Sequence, residues 1–443
     1  MKVLFISYEF PPLNAGGSHR PFKFVKHLHR SGITPIVITP EPVAHRGSAL
    51  DKEVAGLDGH AVVIRTPVDP PTWADRVRGS YYLNTLDPEG RRWRRHLLAA
   101  AEQAARDHEL KAVIISIPPF STGALGVEVA RRLKLPLLVD LRDAWSLWLI
   151  TPYVSRLHFL WRKAHERRLL RAADAITVTS PQTIADLQAL HPMVPAGRFH
   201  LVTNGYDQPP PVVPDRIQLP PATPDRPFTI GYVGSFYYTP YQRDLMFKPW
   251  WRKRPWQWLQ YAPRREDWRY RSPWAFFAAL KELRVRRPDL YDLLRVEFIG
   301  DVPSWLTGMV KAHGLEGKVK LHGRVDHASS IRFQATCDAL LITSSKVVGG
   351  RDYSIAGKTF EYIAQVKPML AFVCEGAQRD LLERTGLAVP CPPDDPAAAA
   401  DRIIDLVEGR CALSPAKDLI RDLCIDRVTQ RFARAVLSMI RPA

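Results

Sequence analysis

Short apolar runs alternate with helix-like segments along the first half of the chain. The strand-like runs are KVLFISY (2–8), TPIVITP (34–40), AVIISIP (112–118), PLLVDL (136–141), AITVTS (175–180) and FHLVTN (199–204). Helical patterns lie between them at 18–32, at about 121–133 and near 156–172. This alternation predicts a parallel, doubly wound sheet. The nearly continuous apolar character of AVIIS indicates strands that are buried on both faces.

The same alternation begins again after a proline-rich break. Residues 206–227 are crowded with proline and poor in periodic apolar positions, which is typical of a semi-rigid linker. Further strands are predicted at 228–235, 294–300, 319–323, 339–343 and 368–373, before a helical pattern at about 416–440. We therefore predict an N-terminal Rossmann-like domain (1–205), a linker (206–227), a C-terminal Rossmann-like domain (228–415) and a helical tail (416–443). The two α/β domains are expected to face a cleft.

The charge balance indicates an anionic partner. The 443 residues include 62 Lys+Arg and 45 Asp+Glu, a net charge of +17, which suits nucleotides, nucleic acid or phospholipid headgroups. Pro11-Pro12 interrupt the first apolar run, so we interpret it as a strand and not as a targeting segment. No run approaches the roughly 18 apolar residues of a membrane span. The five cysteines form no C-x-x-C pair and are odd in number, which suits a cytoplasmic protein without disulfides or zinc.

Two loops stand where α/β sheets usually bind ligands, after the carboxyl ends of strands. In EFPPLNAGGSHR (9–20), Gly16 and Gly17 would allow a close approach of the backbone, and Arg20 opens the following helix. GYVGSF (231–236) takes the same position in the second domain and offers Gly234 and Ser235. A plain turn is an equally good interpretation of a two-glycine loop.

The segment GGRDYSIAGKTFE (349–361) adds cations to a helix start. Lys358 and Glu361 are three residues apart, so they share one face of the helix. A helix N-terminus favours anions, and Arg351 lies just upstream. The alternative is a surface ion pair, worth only a few tenths of a kcal/mol.

Several segments together resemble a known family. YEFPPLNAGG, VDLRDAW (139–145), ADAITVTSPQT (173–183) followed by VTNGYD (202–207), and GKTFEYIAQVKPML (357–370) occur in this order. They resemble the family-4 glycosyltransferases of the GT-B fold, especially bacterial polysaccharide and lipid-linked sugar transferases, over most of the chain apart from roughly 237–274. The resemblance implies transfer from a nucleotide sugar to a glycan or lipid-linked acceptor of cell-surface polysaccharide synthesis. It also implies retention of anomeric configuration, with no metal or other cofactor.

The resemblance assigns roles to residues of the donor site. It implies that Lys358 contacts the donor diphosphate and that Glu361 accepts hydrogen bonds from the ribose hydroxyls. The predicted donor-binding set is Gly16, Gly17, Arg20, Gly234, Ser235, Arg351, Asp352, Lys358 and Glu361. The family has a second Glu eight residues earlier, where this chain has Tyr353, with Asp352 adjacent. Either Asp352 substitutes for it or the sugar is held differently.

The acceptor side is less defined by sequence. Many relatives have a His after the fourth strand, but the segment here is SIPPFSTG (116–123). We predict that Asp140 and Asp143 poise an acceptor hydroxyl, by general-base assistance or by hydrogen bonding. Arg142 and Asn204 are acceptor or structural candidates, and an Arg142–Asp143 structural pair is an equal alternative. A nucleotide-sugar 2-epimerase, a GT-B phosphorylase and a catalytically idle, membrane-docking GT-B subunit remain as alternatives.

An aromatic and basic insert interrupts the second domain at 237–274. It holds six of the twelve tryptophans, together with nine Lys and Arg residues. This composition is typical of membrane interfaces, where rings lie at the headgroup level and cations meet anionic lipid. A loop packed on the protein and a stacking surface for single-stranded bases are the alternatives. No RNA-binding signature accompanies the insert, so we predict peripheral attachment to the inner face of the cell membrane and no nucleic-acid partner.

Overall fold

A computed structural model describes residues 1–440 apart from 14–15, 43–53, 55, 58, 81–82 and 84–85. Its strands are β1 (Lys2–Ser7), β2 (Thr34–Pro40), β3 (Val62–Thr66), β4 (Leu110–Ile117), β5 (Leu137–Leu141), β6 (Ala175–Val178), β7 (Phe199–Leu201), β8 (Ile217–Gln218), β9 (Phe228–Val233), β10 (Glu266–Asp267), β11 (Leu294–Ile299), β12 (Val319–Leu321), β13 (Ala339–Thr343), β14 (Lys346–Val347), β15 (Met369–Phe372), β16 (Ala388–Pro390) and β17 (Ala412–Leu413).

The α-helices in the described part of the chain are α1 (His19–Leu28), α2 (Trp73–Arg78), α3 (Glu89–Asp107), α4 (Thr122–Leu133), α5 (Arg156–Ala172), α6 (Pro181–Leu190), α7 (Pro240–Phe247), α8 (Trp274–Arg286), α9 (Pro288–Leu293), α10 (Ser304–Ala312), α11 (His327–Thr336), α12 (Gly357–Ala364), α13 (Ala377–Thr385), α14 (Pro396–Val407), α15 (Lys417–Asp422) and α16 (Ile425–Ile440).

The first seven strands form one parallel sheet in the order β3-β2-β1-β4-β5-β6-β7. Both of its faces are buried. Along β1, Leu4 and Ile6 belong to one apolar cluster and Val3 and Phe5 to another, as the two-residue period of a strand requires. The predicted doubly wound sheet is confirmed.

The second sheet repeats this construction with six parallel strands in the order β12-β11-β9-β13-β15-β16. Ala339 and Leu341 of β13 face one apolar cluster, and Leu340 and Ile342 face another. The chain therefore contains two doubly wound α/β units, and the predicted fold class is confirmed.

The C-terminal helix returns to the first sheet. Phe432 of α16 stacks on Phe24 of α1 with ring centroids 4.2 Å apart, and it is buried together with Phe5 of β1. The helical pattern near 416–440 is present as two helices, α15 and α16. The predicted domain boundaries stay predictions, but the helix placed in a tail completes the core of the N-terminal unit. Its apolar residues recur with the 3.6-residue period of a helix and therefore form one apolar face, which packs on the open side of that sheet.

Contacts from the predicted insert join the two units. Tyr153 and Tyr261 exchange backbone hydrogen bonds of 2.8 and 2.9 Å, and the indole of Trp268 donates to the carbonyl oxygen of Leu149 at 3.0 Å. Trp268 is buried, unlike four other tryptophans of the insert. In the described ranges, no helix is both long enough and apolar enough to cross a membrane.

Candidate active site

The N-terminus of helix α12 opens onto free space. Its N-cap residue, Ala356, has no side chain that could cap the helix, and the Ala356 N–H donates to Gln378 Oε1 at 2.8 Å. A Cβ built on Gly357 would meet nothing within 4 Å. The first-turn N–H groups of a helix need partners and carry the positive end of its dipole. The geometry therefore provides a site for an anion.

Lys358 lies at this helix start and has an unusual environment. Its ammonium group donates a hydrogen bond to the hydroxyl of Tyr232 and lies 3.8 Å from the centroid of that ring. Burial, and after it the charge of nearby Arg271, lowers the pKa of Lys358 to about 7, with Glu361 partly opposing both effects. Gly234 lies beside this lysine at φ +105°, a backbone conformation that favours glycine, and a Cβ there would lie 2.9 Å from the lysine nitrogen. An incoming anion would favour the charged form of Lys358.

Glu361 faces the opposite unit across the cleft. Its carboxylate accepts a hydrogen bond of 3.3 Å from the amide of Gln334. Burial lowers the pKa of His19 and of Lys23 on helix α1, and the charge of Glu361 partly opposes this for both groups. The starts of α1 and α12 therefore face each other. Sequence analysis did not select His19 or Lys23, although both flank the selected Arg20.

Arg20 is buried in a network within the N-terminal unit. Its guanidinium donates to the carboxylate of Asp140 at 2.8 Å, to the carbonyl oxygens of Val202 and Thr203 at 2.8 Å each, and to Asn204 Oδ1 at 3.1 Å. These bonds use the donors that a phosphate would need. The arrangement favours a structural role for Arg20 and Asn204 over the predicted ligand contacts.

Asp140 is fully buried and has no oxygen left for an acceptor. It also accepts hydrogen bonds from Thr177 Oγ1 at 2.7 Å and Ser116 Oγ at 3.0 Å, its neighbours on the adjoining strands. Burial raises the pKa of Asp140, but the Arg20 guanidinium and these hydroxyl groups outweigh it, so the pKa lies below its usual range. This environment favours a permanently ionised structural carboxylate over the predicted base.

Arg142 fixes the loop that contains Gly17. It pairs with Glu9 at 2.7 Å and donates to the carbonyl oxygens of Gly17 and Pro118. A Cβ on Gly17 would collide with the side chains of Glu9 and Arg142. The glycine is thus explained by packing of the loop. Gly16 faces the second unit, where a Cβ would lie 3.8 Å from the Tyr237 hydroxyl.

Asp143 differs from Asp140 in having unused oxygens. Within the described part of the chain it has no hydrogen-bond or ion-pair partner, because Arg142 pairs with Glu9 instead. Burial raises the pKa of Asp143, and the charges of Arg142 and Arg271 partly offset this. A partly exposed carboxylate with a raised pKa is suited to accept a proton from an acceptor hydroxyl. Of the two predicted aspartates, Asp143 has the more suitable geometry.

Arg271 is a further candidate for the site, which the sequence did not single out. Its guanidinium lies 4.7 Å from the ring centroid of Trp268 and 3.4 Å from Ser354 Oγ. Its charge affects the pKa of both Lys358 and Asp143, so the three groups border one space. The sequence shows only the last arginine of a basic insert. Antiparallel pairing of β10 with β14 carries it to the cleft.

Two predicted donor residues have other partners. Arg351 is exposed and pairs with Glu375 at 3.0 Å and with Asp380 at 2.7 Å, on the side of helix α13. Ser235 donates to Asp301 at 2.6 Å, and the Arg324 guanidinium, followed by this bond, lowers the pKa of Asp301 to about 2. Their donor roles stay predictions without support from these contacts.

Asp352, the candidate replacement for the missing Glu, is buried and already hydrogen-bonded within its own unit. Its buried carboxylate accepts hydrogen bonds from Ser345 Oγ at 2.8 Å and from the Ser354 N–H at 2.9 Å. Tyr353 is buried too, and its carbonyl oxygen accepts a 2.6 Å bond from Ser180 of the other unit. This geometry favours the alternative in which the donor sugar is held differently.

The described residues contain no group of three or more His, Cys, Asp or Glu arranged to hold a metal ion. The five cysteines are free thiols, and burial raises the pKa of Cys337 and Cys374 to about 12. The thiols of Cys337 and Cys374 therefore stay protonated and unreactive near neutral pH.

Two doubly wound units that meet at a cleft, with an anion site at one helix start, define a GT-B fold. Two family models match the chain: a glycosyl transferase 4-like domain over residues 17–205 and glycosyl transferases group 1 over residues 269–409. The chain belongs to the family-4 glycosyltransferases of the GT-B fold.

Comparisons with individual proteins agree with this class. The probable glycosyltransferase WbjE of Pseudomonas aeruginosa is 35% identical over 112 residues, which are 24% of this chain and 27% of that protein. The structure of Anabaena Alr3699/HepE in complex with UDP is similar to this chain with a TM-score of 0.59 at 15% identity. The alignment covers 99% of this chain and 100% of the HepE chain. The apo lipopolysaccharide outer core galactosyltransferase WaaB has a TM-score of 0.57 at 14% identity, with 99% of each chain covered. At these identities, the two structures establish the fold alone.

Proposed function

We propose that the protein transfers a sugar from a nucleotide-sugar donor to an acceptor. The observation that carries this proposal is Lys358 at the uncapped start of helix α12, with Glu361 one turn further in. An ammonium group beside free N–H groups suits a diphosphate, and a carboxylate suits a ribose diol. The similar HepE structures contain UDP or UDP-glucose, which supports a donor of this class.

The charges around the cleft provide a mechanism. Lys358 and Arg271 stabilise the diphosphate as its bond to the sugar breaks. Asp143 accepts the proton of the acceptor hydroxyl, whose oxygen forms the new bond to the same sugar carbon. We propose that transfer retains the anomeric configuration and needs no metal ion. Retention would be checked by NMR of the product, and metal independence by activity in the presence of a chelator.

The proposed acceptor is a glycan or a lipid-linked intermediate of cell-surface polysaccharide synthesis, at the inner face of the cell membrane. The similarity to WaaB, which is a lipopolysaccharide galactosyltransferase, supports a glycan acceptor. The five free thiols suit a reducing compartment such as the cytoplasm. The exposed tryptophans of the insert at 237–274 supply a surface for contact with lipid.

A thermal-shift panel of nucleoside diphosphates and nucleotide sugars tests the donor site, because a ligand that binds only the native state stabilises it by about 2.7 kcal/mol at 100 times its Kd. At least one nucleotide should raise the Tm of the wild type and of the matched control Lys311→Ala, an exposed lysine of the same unit. The Lys358→Ala variant should lose the shift. The absence of any nucleotide effect on the wild type would overturn the proposal.

The nucleotide found in this way then identifies the reaction. A transferase should release nucleoside diphosphate only when an acceptor is added. Conversion of the nucleotide sugar without an acceptor would instead indicate an epimerase. Binding without turnover, over a broad panel of acceptors, would indicate an idle subunit.

A further inference from the structure

Exposed apolar side chains are concentrated on two neighbouring segments of the fold. In the insert, Trp250, Trp251, Trp256, Trp258 and Leu259 are 46–67% exposed. On helix α5 of the N-terminal unit, Leu157, Leu160 and Trp161 are 76%, 45% and 38% exposed. Single exposed apolar residues need no explanation, but a contiguous group indicates a binding surface. We refer to these eight side chains as the interfacial surface.

Helix α5 presents apolar side chains where a surface helix is normally polar. Leu157, Leu160 and Trp161 are spaced three and four residues apart, so they lie on one face. The one acidic residue of the helix, Glu166, is buried and pairs with His191 at 2.8 Å. The exposed charges of α5 are therefore all positive, and Arg156, Arg167, Arg168 and Arg171 are among them.

The insert has the same combination of features. No Asp or Glu occurs between Asp244 and Glu266. The intervening cations are Lys248, Arg252, Lys253, Arg254, Arg264 and Arg265. Tryptophan beside exposed lysine and arginine is typical of the interface between water and an anionic bilayer.

A packed joint holds the two segments side by side. Besides the backbone bonds between Tyr153 and Tyr261, the rings of Phe159 and Tyr261 are 5.2 Å apart. Met246 of helix α7 is buried in the same small cluster as Phe159. Leu157 and Leu160 flank Phe159 in sequence, as Trp258 and Leu259 precede Tyr261. Because helix residues one and two positions apart point to different sides, Leu157 and Leu160 lie outside the joint, and what the joint fixes is the adjacency of the two segments.

We propose that the interfacial surface, formed by helix α5 and the insert, is one membrane-docking surface. Both units of the enzyme contribute to it, and its partner is an anionic bilayer. The inference extends the proposed membrane contact of the insert, but it does not depend on the donor site. Because α5 belongs to the unit opposite the donor-binding helix, docking would hold the acceptor side of the cleft against the headgroups. A lipid-linked acceptor would then reach the cleft without leaving the bilayer.

Vesicle sedimentation tests this surface with the full chain. The wild type should bind vesicles that contain phosphatidylglycerol more tightly than vesicles of phosphatidylcholine alone. Added salt should weaken this binding but leave an apolar part of it. One variant carries Leu157→Ala, Leu160→Ala and Trp161→Ala, and a second carries Ala in place of the four exposed tryptophans of the insert. Each should bind about tenfold more weakly, and their combination about a hundredfold more weakly, since separate apolar contacts add in free energy.

The matched control is Trp73→Ala, which removes a tryptophan that is 76% exposed on helix α2, outside both segments. It should bind vesicles like the wild type, and all variants should keep the wild-type Tm and the nucleotide-induced shift.

Wild-type vesicle binding by the α5 variant would overturn the two-unit surface. The lipid assignment would be overturned if the wild type did not bind anionic vesicles. It would also be overturned if the variants lost binding to a soluble polysaccharide or to single-stranded nucleic acid instead of to vesicles. Failure of the nucleotide shift alone would overturn the proposed function and leave this inference standing.

Discussion

Helices α1 and α12 start in closely similar ways and differ in what they can bind. Each follows a glycine-containing segment, and each has a cation as its second residue, Arg20 or Lys358. The donors of Arg20 are used by the carboxylate of Asp140 and the segment 202–204. Lys358 donates to a neutral phenol, and the space in front of its helix is open.

The difference lies in the neighbouring strands and not in the helix starts. Strand β5 places Asp140 beside α1, between the hydroxyl groups of Ser116 and Thr177. Strand β9 places the uncharged Tyr232 beside α12. A buried cation without a directly bonded anion is costly, and the lowered pKa of Lys358 expresses that cost. These contacts favour a structural role for the first helix start and an anionic ligand at the second.

The largest expected effect follows from removing the anion of the first helix start. Asp140→Ala leaves Arg20 buried and uncompensated, so the free energy of unfolding should fall by roughly 3–5 kcal/mol. Urea denaturation monitored by tryptophan fluorescence measures this change. Lys358→Ala is the comparison, since it removes a cation without an ion-pair partner and should unfold near the wild-type midpoint. If Asp140→Ala keeps wild-type stability but loses transfer, the predicted catalytic role of Asp140 is restored.

The second effect concerns the second helix start. Lys358→Ala should weaken binding of the donor nucleoside diphosphate by roughly 1.5–3 kcal/mol, the contribution of a hydrogen bond to a charged group. Isothermal titration calorimetry gives the affinity, and a thermal melt shows that the fold is intact. Equal affinities for wild type and variant would remove Lys358 from the site, and the two helix starts would then be equally unable to bind a ligand.

A smaller effect separates the two functional groups of helix α12. Glu361→Gln should weaken binding of a nucleoside diphosphate by roughly 1.5 kcal/mol, because a carboxylate accepts hydrogen bonds more strongly than an amide. Affinity for pyrophosphate should change little, since that ligand has no ribose. Competition titrations with both ligands measure the two affinities. Equal losses for the two would refute contact between Glu361 and ribose.

Most of the fold could be predicted because apolar periodicity is a local property. Helix α5 spans 156–172 and strand β2 spans 34–40, as their patterns predict. The placement of helix α16 on the N-terminal sheet could not be predicted in this way, because its apolar face is compatible with any exposed apolar surface. Proximity of residues about 400 positions apart, such as Phe24 and Phe432, leaves no local signal in one sequence.

The candidate site divides in the same manner. Lys358 and Glu361 could be proposed from the sequence because a helix start and a three-residue spacing are local features. Arg20 and Asp140 were assigned to ligands because their 120-residue separation hides the ion pair that joins them. Arg271 was missed because its position depends on a two-residue strand pairing at β10 and β14. Residue type and local spacing identify candidates, and the partners of each side chain decide among them.

The smallest expected effect uses protons to distinguish the two helix starts. The free protein holds the pKa of Lys358 near 7, well below its usual value, so this group is mostly neutral at pH 8. A bound diphosphate stabilises the ammonium form and raises that pKa, so binding at pH 8 must take up almost one proton. Affinity should therefore fall by about fivefold from pH 7 to pH 8, as the fraction of charged Lys358 in the free protein decreases. Calorimetry at pH 8 in buffers of different ionisation enthalpy measures the uptake directly, and at this pH the terminal phosphate, with a pKa of about 6, is already ionised. Lys358→Arg is the matched variant: arginine stays charged in the free protein, so the uptake should vanish while binding persists. The same uptake in wild type and Lys358→Arg would assign the proton to another group, such as His19 at the start of α1.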